Sequence, residues 1–217
     1  MKEVEAVEIV RIARKNHLCL IVDEVFAEYC FDSLQRANSF VTTDSVMTFT
    51  LGGISKLLGL PQMKLSWIAV SGPSNVTSTA LKRLEFIADT FLSVNTHVQQ
   101  MLPSLLKERK STTRRFLERL QTNLAALRSR VTLARAVSLL RCEGGWYAVL
   151  QVPATRSDED WAEVLLEDCN TLMHPGLFFS IDRINCLVLS LLPLPDDFDR
   201  GISSFINLIT EKMAVNR

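Results

Sequence analysis

Apolar residues recur near helical spacing over residues 3–16, where Val4, Val7, Val10 and Ile12 or Ala13 alternate with charge. Glu3, Glu5 and Glu8 come early and Arg14 and Lys15 late, the order that suits a helix dipole. Residues 18–22, Leu-Cys-Leu-Ile-Val, are apolar throughout, as in a central parallel strand, so helix and strand together predict half of a βαβ unit. After a mixed loop over 30–45, the runs 46–51 and 65–71 predict two more buried strands. Gly52-Gly53 breaks the first of them, and Pro61 lies in the turn between the two. Ser71-Gly72-Pro73-Ser74 predicts a turn, with Ser74 or Asn75 capping a helix whose apolar face is Leu81, Leu84, Ile87, Ala88 and Phe91. More helix follows, interrupted by Pro103, and then a long helix from about 108 to 130 with Phe116, Leu120, Leu124 and Leu127 as its stripe.

From about residue 131 the period shortens. Residues 137–140 and 146–150 predict strands joined through Gly144-Gly145. Ser157-Asp158-Glu159-Asp160 opens a helix with acid in its first turn, Trp161, Val164 and Leu165 facing inward. His174-Pro175-Gly176 predicts a turn before Phe178-Phe179, and 186–192 a buried strand stopped by Pro193 and Pro195. Asp196-Asp197 then precede a last amphipathic helix to about 214. The whole predicts an α/β chain in two parts, residues 1–105 and 106–217, with no internal repeat.

Composition narrows the classes. The 217 residues are 47% hydrophobic and carry 24 basic and 24 acidic side chains, an ordinary globular balance with no call for nucleic acid. The long basic helix, with Arg114, Arg115, Arg119 and Arg128, lacks aromatic interleaving and reads as a solvated face. No apolar run reaches membrane-helix length, and the N-terminus lacks the apolar region of a signal peptide. Five cysteines, odd in number and without CxxC, predict free, mostly buried thiols in a reducing cytoplasm. Three histidines show no metal spacing.

Candidate chemistry centres on Gly52-Gly53-Ile54-Ser55-Lys56. A lysine at the end of a buried strand, in an apolar neighbourhood, is unusual. Burial disfavours the ammonium, and a neutral amine can attack an aldehyde and hold it as an imine. Taken alone, such a lysine is more often solvated. Asp23, at the end of the strand over 18–22, and Lys64, eight residues beyond Lys56, change that balance. Asp23 and Glu24 sit at that strand's carboxyl end, where open α/β sheets bind ligands.

Val22-Asp23-Glu24-Val25-Phe26-Ala27-Glu28-Tyr29, then Gly53-Ile54-Ser55-Lys56, then Lys64-Leu65-Ser66-Trp67, together resemble the class I/II aminotransferases, pyridoxal 5′-phosphate (PLP) enzymes of fold type I. Glu143-Gly144-Gly145-Trp146 and His174-Pro175-Gly176 match the wording of that family's small C-terminal domain. The resemblance implies an aspartate-aminotransferase-like fold: part of the large cofactor-binding domain, then a small α+β domain. It implies that Lys56 forms the internal aldimine and then shuttles a proton, that Asp23 pairs with the pyridine nitrogen, and that Lys64 binds the phosphate. It also places Phe26 and Ser55 against the cofactor. The implied reaction is transamination between an amino acid and a 2-oxo acid, in a homodimer.

Five departures qualify that expectation. Phe26 stands where the family has a tyrosine, so its ring carries no hydroxyl for the cofactor oxygen. Gly53 stands where many relatives have a phosphate-binding serine, for which Thr50 or Ser55 would substitute. Lys64 replaces an arginine, keeping charge but losing the bidentate fork. The arginine that binds the substrate carboxylate should fall near Val188, in a strand without any charge; Arg183 is the candidate replacement, and His174 a second group nearby. Finally, the resembling enzymes are about twice as long, and only their second half is matched. The alternatives are therefore a PLP-dependent lyase of the same fold, or a truncated non-catalytic remnant that needs an N-terminal half from elsewhere.

Overall fold

Helix α1, Glu3–Lys15, leads into strand β1, Leu20–Asp23, in the order the hydrophobic pattern predicts. The structure, a computed structural model, describes residues 1–32, 37–91, 93–134, 136–181 and 184–215. It falls into two units, Met1–Arg114 and Arg115–Arg217.

In the first unit β1 pairs in parallel with β2, Thr48–Gly53, in a register that sets Asp23 opposite Leu51. A one-turn helix, α2, Ile54–Leu57, follows β2 directly. Strand β3, Ser66–Ser71, returns antiparallel, with Gly52 opposite Trp67 and Gly53 opposite Ser66, giving the order β1-β2-β3. Helices α3, Ser74–Thr90, and α4, Thr96–Lys107, complete the unit. Asn95 caps α4, its Oδ1 accepting the His97 amide at 2.9 Å. Pro103 sits inside α4 without ending it.

Several expected buried faces are open. Helix α1 buries Ala6 and Ala13 rather than the valine stripe, and Val4 and Val7 are exposed. The predicted apolar face of α3 buries nothing fully, and Leu81, Ile87 and Phe91 are exposed. Strand β3 is exposed over Ser66–Ile68, and Ile21 on β1 is 75% exposed. The cause is topological. For the strands, β1 and β3 are the edges of a three-stranded sheet, and among the described residues each has a paired strand on one side only. The cysteines follow suit: only Cys186 is buried and Cys19 is exposed.

Helix α5, Arg109–Leu133, carries the chain into the second unit. There its stripe of Leu120, Leu124 and Leu127 is buried, as its spacing predicts. Strands β4, Ser138–Leu139, and β5, Tyr147–Gln151, precede helix α6, Asp158–Cys169. Ser157 and Asp160 form a reciprocal cap at its start. Strand β6, His174–Pro175, a 3₁₀ turn over Gly176–Phe179, strand β7, Cys186–Ser190, and helix α7, Pro195–Val215, end the unit. Its sheet runs β4-β5-β7-β6, antiparallel throughout. His174-Pro175 is thus not a turn but an edge pairing, because His174 lies in register with Val188. No described helix is long and apolar enough to cross a membrane.

Candidate functional site

The position of Lys56 follows from its neighbours on α2. Ile54 and Leu58, four residues apart, are buried on one side, and with Leu65 they pack against Leu57, Leu60, Val98 and Leu102. Lys56 lies two residues from Ile54, about 200° round the helix, and so projects away from that core. The turn is fixed by Ile54, whose amide donates to Leu65 O at 3.2 Å and whose carbonyl accepts from Leu58 N at 3.0 Å. Lys56 is half-buried, not sequestered as its apolar neighbours in sequence predict. Its Nζ lies 5.7 Å from the centroid of the Phe26 ring, a cation–π distance.

Asp23 and Lys56 come from the carboxyl ends of adjacent parallel strands, β1 and β2. Asp23 is exposed, and its Oδ1 accepts the Val25 amide at 3.0 Å. That bond holds the chain as it leaves β1 and leaves the carboxylate with further acceptor capacity. Glu24, by contrast, is committed to the loop: its oxygens accept from Ser39 Oγ at 2.7 Å and Phe40 N at 2.8 Å. Phe26 then starts a 3₁₀ turn over Ala27–Tyr29, and its ring meets Tyr29 edge-on at 6.5 Å.

Tyr29 is a residue that pattern reading missed. It is 0% exposed, and its hydroxyl donates to Lys56 O at 2.7 Å and lies 3.4 Å from Leu57 O. Burial, with the Glu28 carboxylate nearby, pushes its pKa up to about 12, so the hydroxyl stays a donor. The absent hydroxyl of Phe26 is therefore not supplied by Tyr29, whose own is spent on backbone. Its place six residues after Asp23 was visible in the sequence; the partner 27 residues on was not.

Ser55 is half-buried beside Lys56, and Lys64 is exposed at a left-handed residue, φ 52°, that closes the 3₁₀ turn over Pro61–Met63. Thr50 is buried, and its Oγ1 has no hydrogen-bond partner among the described residues. It lines a cavity of about 270 Å³ with Glu24, Gly52, Gly53, Trp67 and Arg109. In the second unit Val188 is 2% exposed in a strand whose Cys186, Leu187 and Leu189 are also buried, so no charge occupies that position. Arg183 lies outside the described residues. His174, opposite Val188, is exposed, with the Phe178 and Phe179 rings 6.3 and 6.2 Å away.

These residues fit PLP by the chemistry of the donor set. An amine that can form an imine and a carboxylate for the ring nitrogen stand at neighbouring strand ends. Ser55 lies beside Lys56, Lys64 closes the next turn, and Thr50, whose buried hydroxyl has no hydrogen-bond partner among the described residues, belongs to the lining of the cavity.

Comparison with known proteins agrees. The family model for aminotransferase class I and II matches residues 1–191. Tyrosine aminotransferase of Dictyostelium discoideum is 23% identical over 186 residues, 80% of this chain and 44% of its own. Glutamate-pyruvate aminotransferase AlaA of Escherichia coli K12 is 22% identical over 209 residues, covering 94% of this chain and 52% of its own. Among solved structures, tyrosine aminotransferase from Leishmania infantum superposes with a TM-score of 0.86 at 19% identity, over 97% of this chain and 53% of its own. Alanine aminotransferase from Pyrococcus furiosus gives 0.84 at 18%, over 94% and 52%. The likeness to these structures shows the fold, and the chain spans about half the length of the relatives it matches.

Proposed function

Because the chain belongs to the class I and II aminotransferases, we propose that it takes part in PLP-dependent transamination between an amino acid and a 2-oxo acid, with Lys56 as the reacting amine. When bound, PLP supplies an aldehyde that captures amines and a ring that withdraws electrons from the substrate carbon. Lys56 Nζ would be the amine that holds the aldehyde and the base available to carry a proton at the substrate carbon. Asp23 would keep the ring nitrogen protonated through its carboxylate, which has acceptor capacity beyond the Val25 amide. Lys64 and Ser55 meet the phosphate, Lys64 as a point charge without an arginine's fork. Phe26 offers an apolar face and no hydroxyl.

The observation that supports this reading is that Asp23 ends β1 while Lys56 lies in the one-turn helix that directly follows the parallel neighbour β2. Membership of the family supports amino acid and 2-oxo acid substrates and a homodimer. No described helix crosses a membrane, which accords with work in the cytoplasm. One observation favours a second reading, a PLP-dependent lyase of the same fold: the uncharged, buried Val188 where substrate carboxylate would be bound.

The test is borohydride reduction after addition of PLP, followed by peptide mass mapping. The expected result is one adduct, on Lys56, lost in Lys56→Ala. Adduct spread over surface lysines and unchanged in Lys56→Ala would overturn the assignment. Consumption of a 2-oxo acid then separates transfer from lyase chemistry.

A further inference from the structure

We propose that Tyr29 is a positioning residue for Lys56, and that the single turn Phe26–Tyr29 grips this lysine at both ends. This rests on the reading of Lys56 as the reacting amine. A helix leaves its last carbonyls without intrahelical partners. In the one-turn helix α2 those include the carbonyls of Lys56 and Leu57. Tyr29 reaches across from the other strand's end and donates to Lys56 O at 2.7 Å. The local alternative is weak, since Gly59 N lies 3.4 Å from the same oxygen. A phenol buried to 0% exposure cannot exchange this bond for water, so the backbone of Lys56 is fixed.

The other end is held from the same turn. Tyr29 N donates to Phe26 O at 2.9 Å, and the two rings meet at 6.5 Å. Whatever places Tyr29 therefore also places Phe26, whose ring lies 5.7 Å from Lys56 Nζ. Phe26, in this chain, is the aromatic face against which the ammonium rests, and Tyr29 sets the distance between that face and the lysine backbone. Two aromatic residues divide the work: one hydroxyl on the carbonyl, one ring on the amine.

Reductive ¹³C-methylation of the 217-residue chain gives each lysine an NMR signal, and Lys56→Arg identifies that of Lys56. In the unmodified sequence the Lys56 signal should be displaced from the other lysines by the Phe26 ring current. Tyr29→Phe keeps the ring and removes the hydroxyl. It should bring the Lys56 signal back among exposed lysines and lower trapping of PLP on Lys56 by about three- to tenfold, the equivalent of one buried hydrogen bond. Phe26→Leu should remove the displacement, whereas Phe26→Tyr should keep it. A folded Tyr29→Phe chain with its Lys56 signal and trapping unchanged overturns the proposal. Should Tyr29→Phe not fold, 3-fluorotyrosine at the chain's 2 tyrosines keeps the ring and makes the hydroxyl more acidic. The Lys56 signal must then move as Tyr29 ionises, and a signal indifferent to that ionisation overturns the proposal too. If Tyr29→Phe moves the signal while the parent chain takes no PLP, the positioning role stands and the PLP reading falls.

Discussion

The indole of Trp67 occupies the space that a side chain on Gly52 would need: a Cβ built at Gly52 falls 2.4 Å from Trp67 Nε1 and 2.6 Å from Cε2. The two residues are cross-strand partners on β2 and β3, two positions before α2 begins. Gly52 is thus small because its neighbour is large. Gly52→Ala forces the indole aside and should cost about 1–3 kcal/mol, with a change in tryptophan emission. Trp67→Ala in the same chain should recover most of that loss. Urea unfolding of both variants checks it, and a Gly52→Ala chain with unaltered stability and emission would contradict the packing described.

Tyr29 makes stability fall at high pH. Its pKa is about 12 in the folded chain against about 10 when unfolded. Between those values the unfolded chain has released a proton that the folded chain keeps. The group's contribution is therefore fully present below about pH 10 and is lost as pH rises through about 12. Two units correspond to roughly 2–3 kcal/mol. Tyr29→Phe has no such titration, so the stability gap between it and the parent chain should narrow across this window. Urea midpoints measured at pH 9 and again above pH 11 decide it; a gap that stays constant rules out the raised phenol.

In the second unit Asn123 is buried on α5 and its Nδ2 donates to Leu191 O and Pro193 O, each at 2.9 Å. Those carbonyls follow β7, at a point where the chain turns and Pro193 can offer no amide of its own. Asn123→Ala strands both, and should cost about 2–4 kcal/mol. Asn123→Asp should be no better, because a carboxylate accepts where donation is needed. Thermal unfolding checks both; a neutral Asn123→Ala would mean that water replaces the amide.

What the sequence disclosed and what it hid divide along physical lines. Elements with a complete local signal came through: α1 into β1, the leucine stripe of α5, and the helix start at Ser157–Asp160 with acid in its first turn. The parallel pairing of β1 with β2, which sets Asp23 opposite Leu51, could not be read from hydropathy, since strand order is not encoded there. Burial was over-read at Ile21, Ile68 and the α3 face, because an apolar residue declares only that it can be buried, and sheet edges decide whether it is. Tyr29, Asn123 and the fit of Trp67 on Gly52 were invisible, as each joins segments whose register only folding sets. His174-Pro175 misled for a related reason: proline is compatible with a turn and with an edge strand, and His174 lies on an edge opposite Val188.

The open side of β1 gives the last prediction. Leu20 and Glu24 donate their amides inward, to Met47 O at 2.9 Å and Leu51 O at 3.0 Å. In a parallel ladder alternate residues face opposite ways, so the backbone groups of Ile21 and Asp23 face outward. Ile21 adds an isoleucine side chain that is 75% exposed. An edge with no paired strand among the described residues and an apolar residue at its middle is a template for strand addition. The chain should therefore self-associate as its concentration rises. Ile21→Lys places a hydrated charge at that edge and should shift sedimentation toward the monomer, while the stability of the folded chain changes by no more than about 0.5 kcal/mol. If Ile21→Lys and the parent chain show the same concentration dependence, association does not run through β1, and the exposed face of α3, with Phe86 and Phe91, is the surface to alter next.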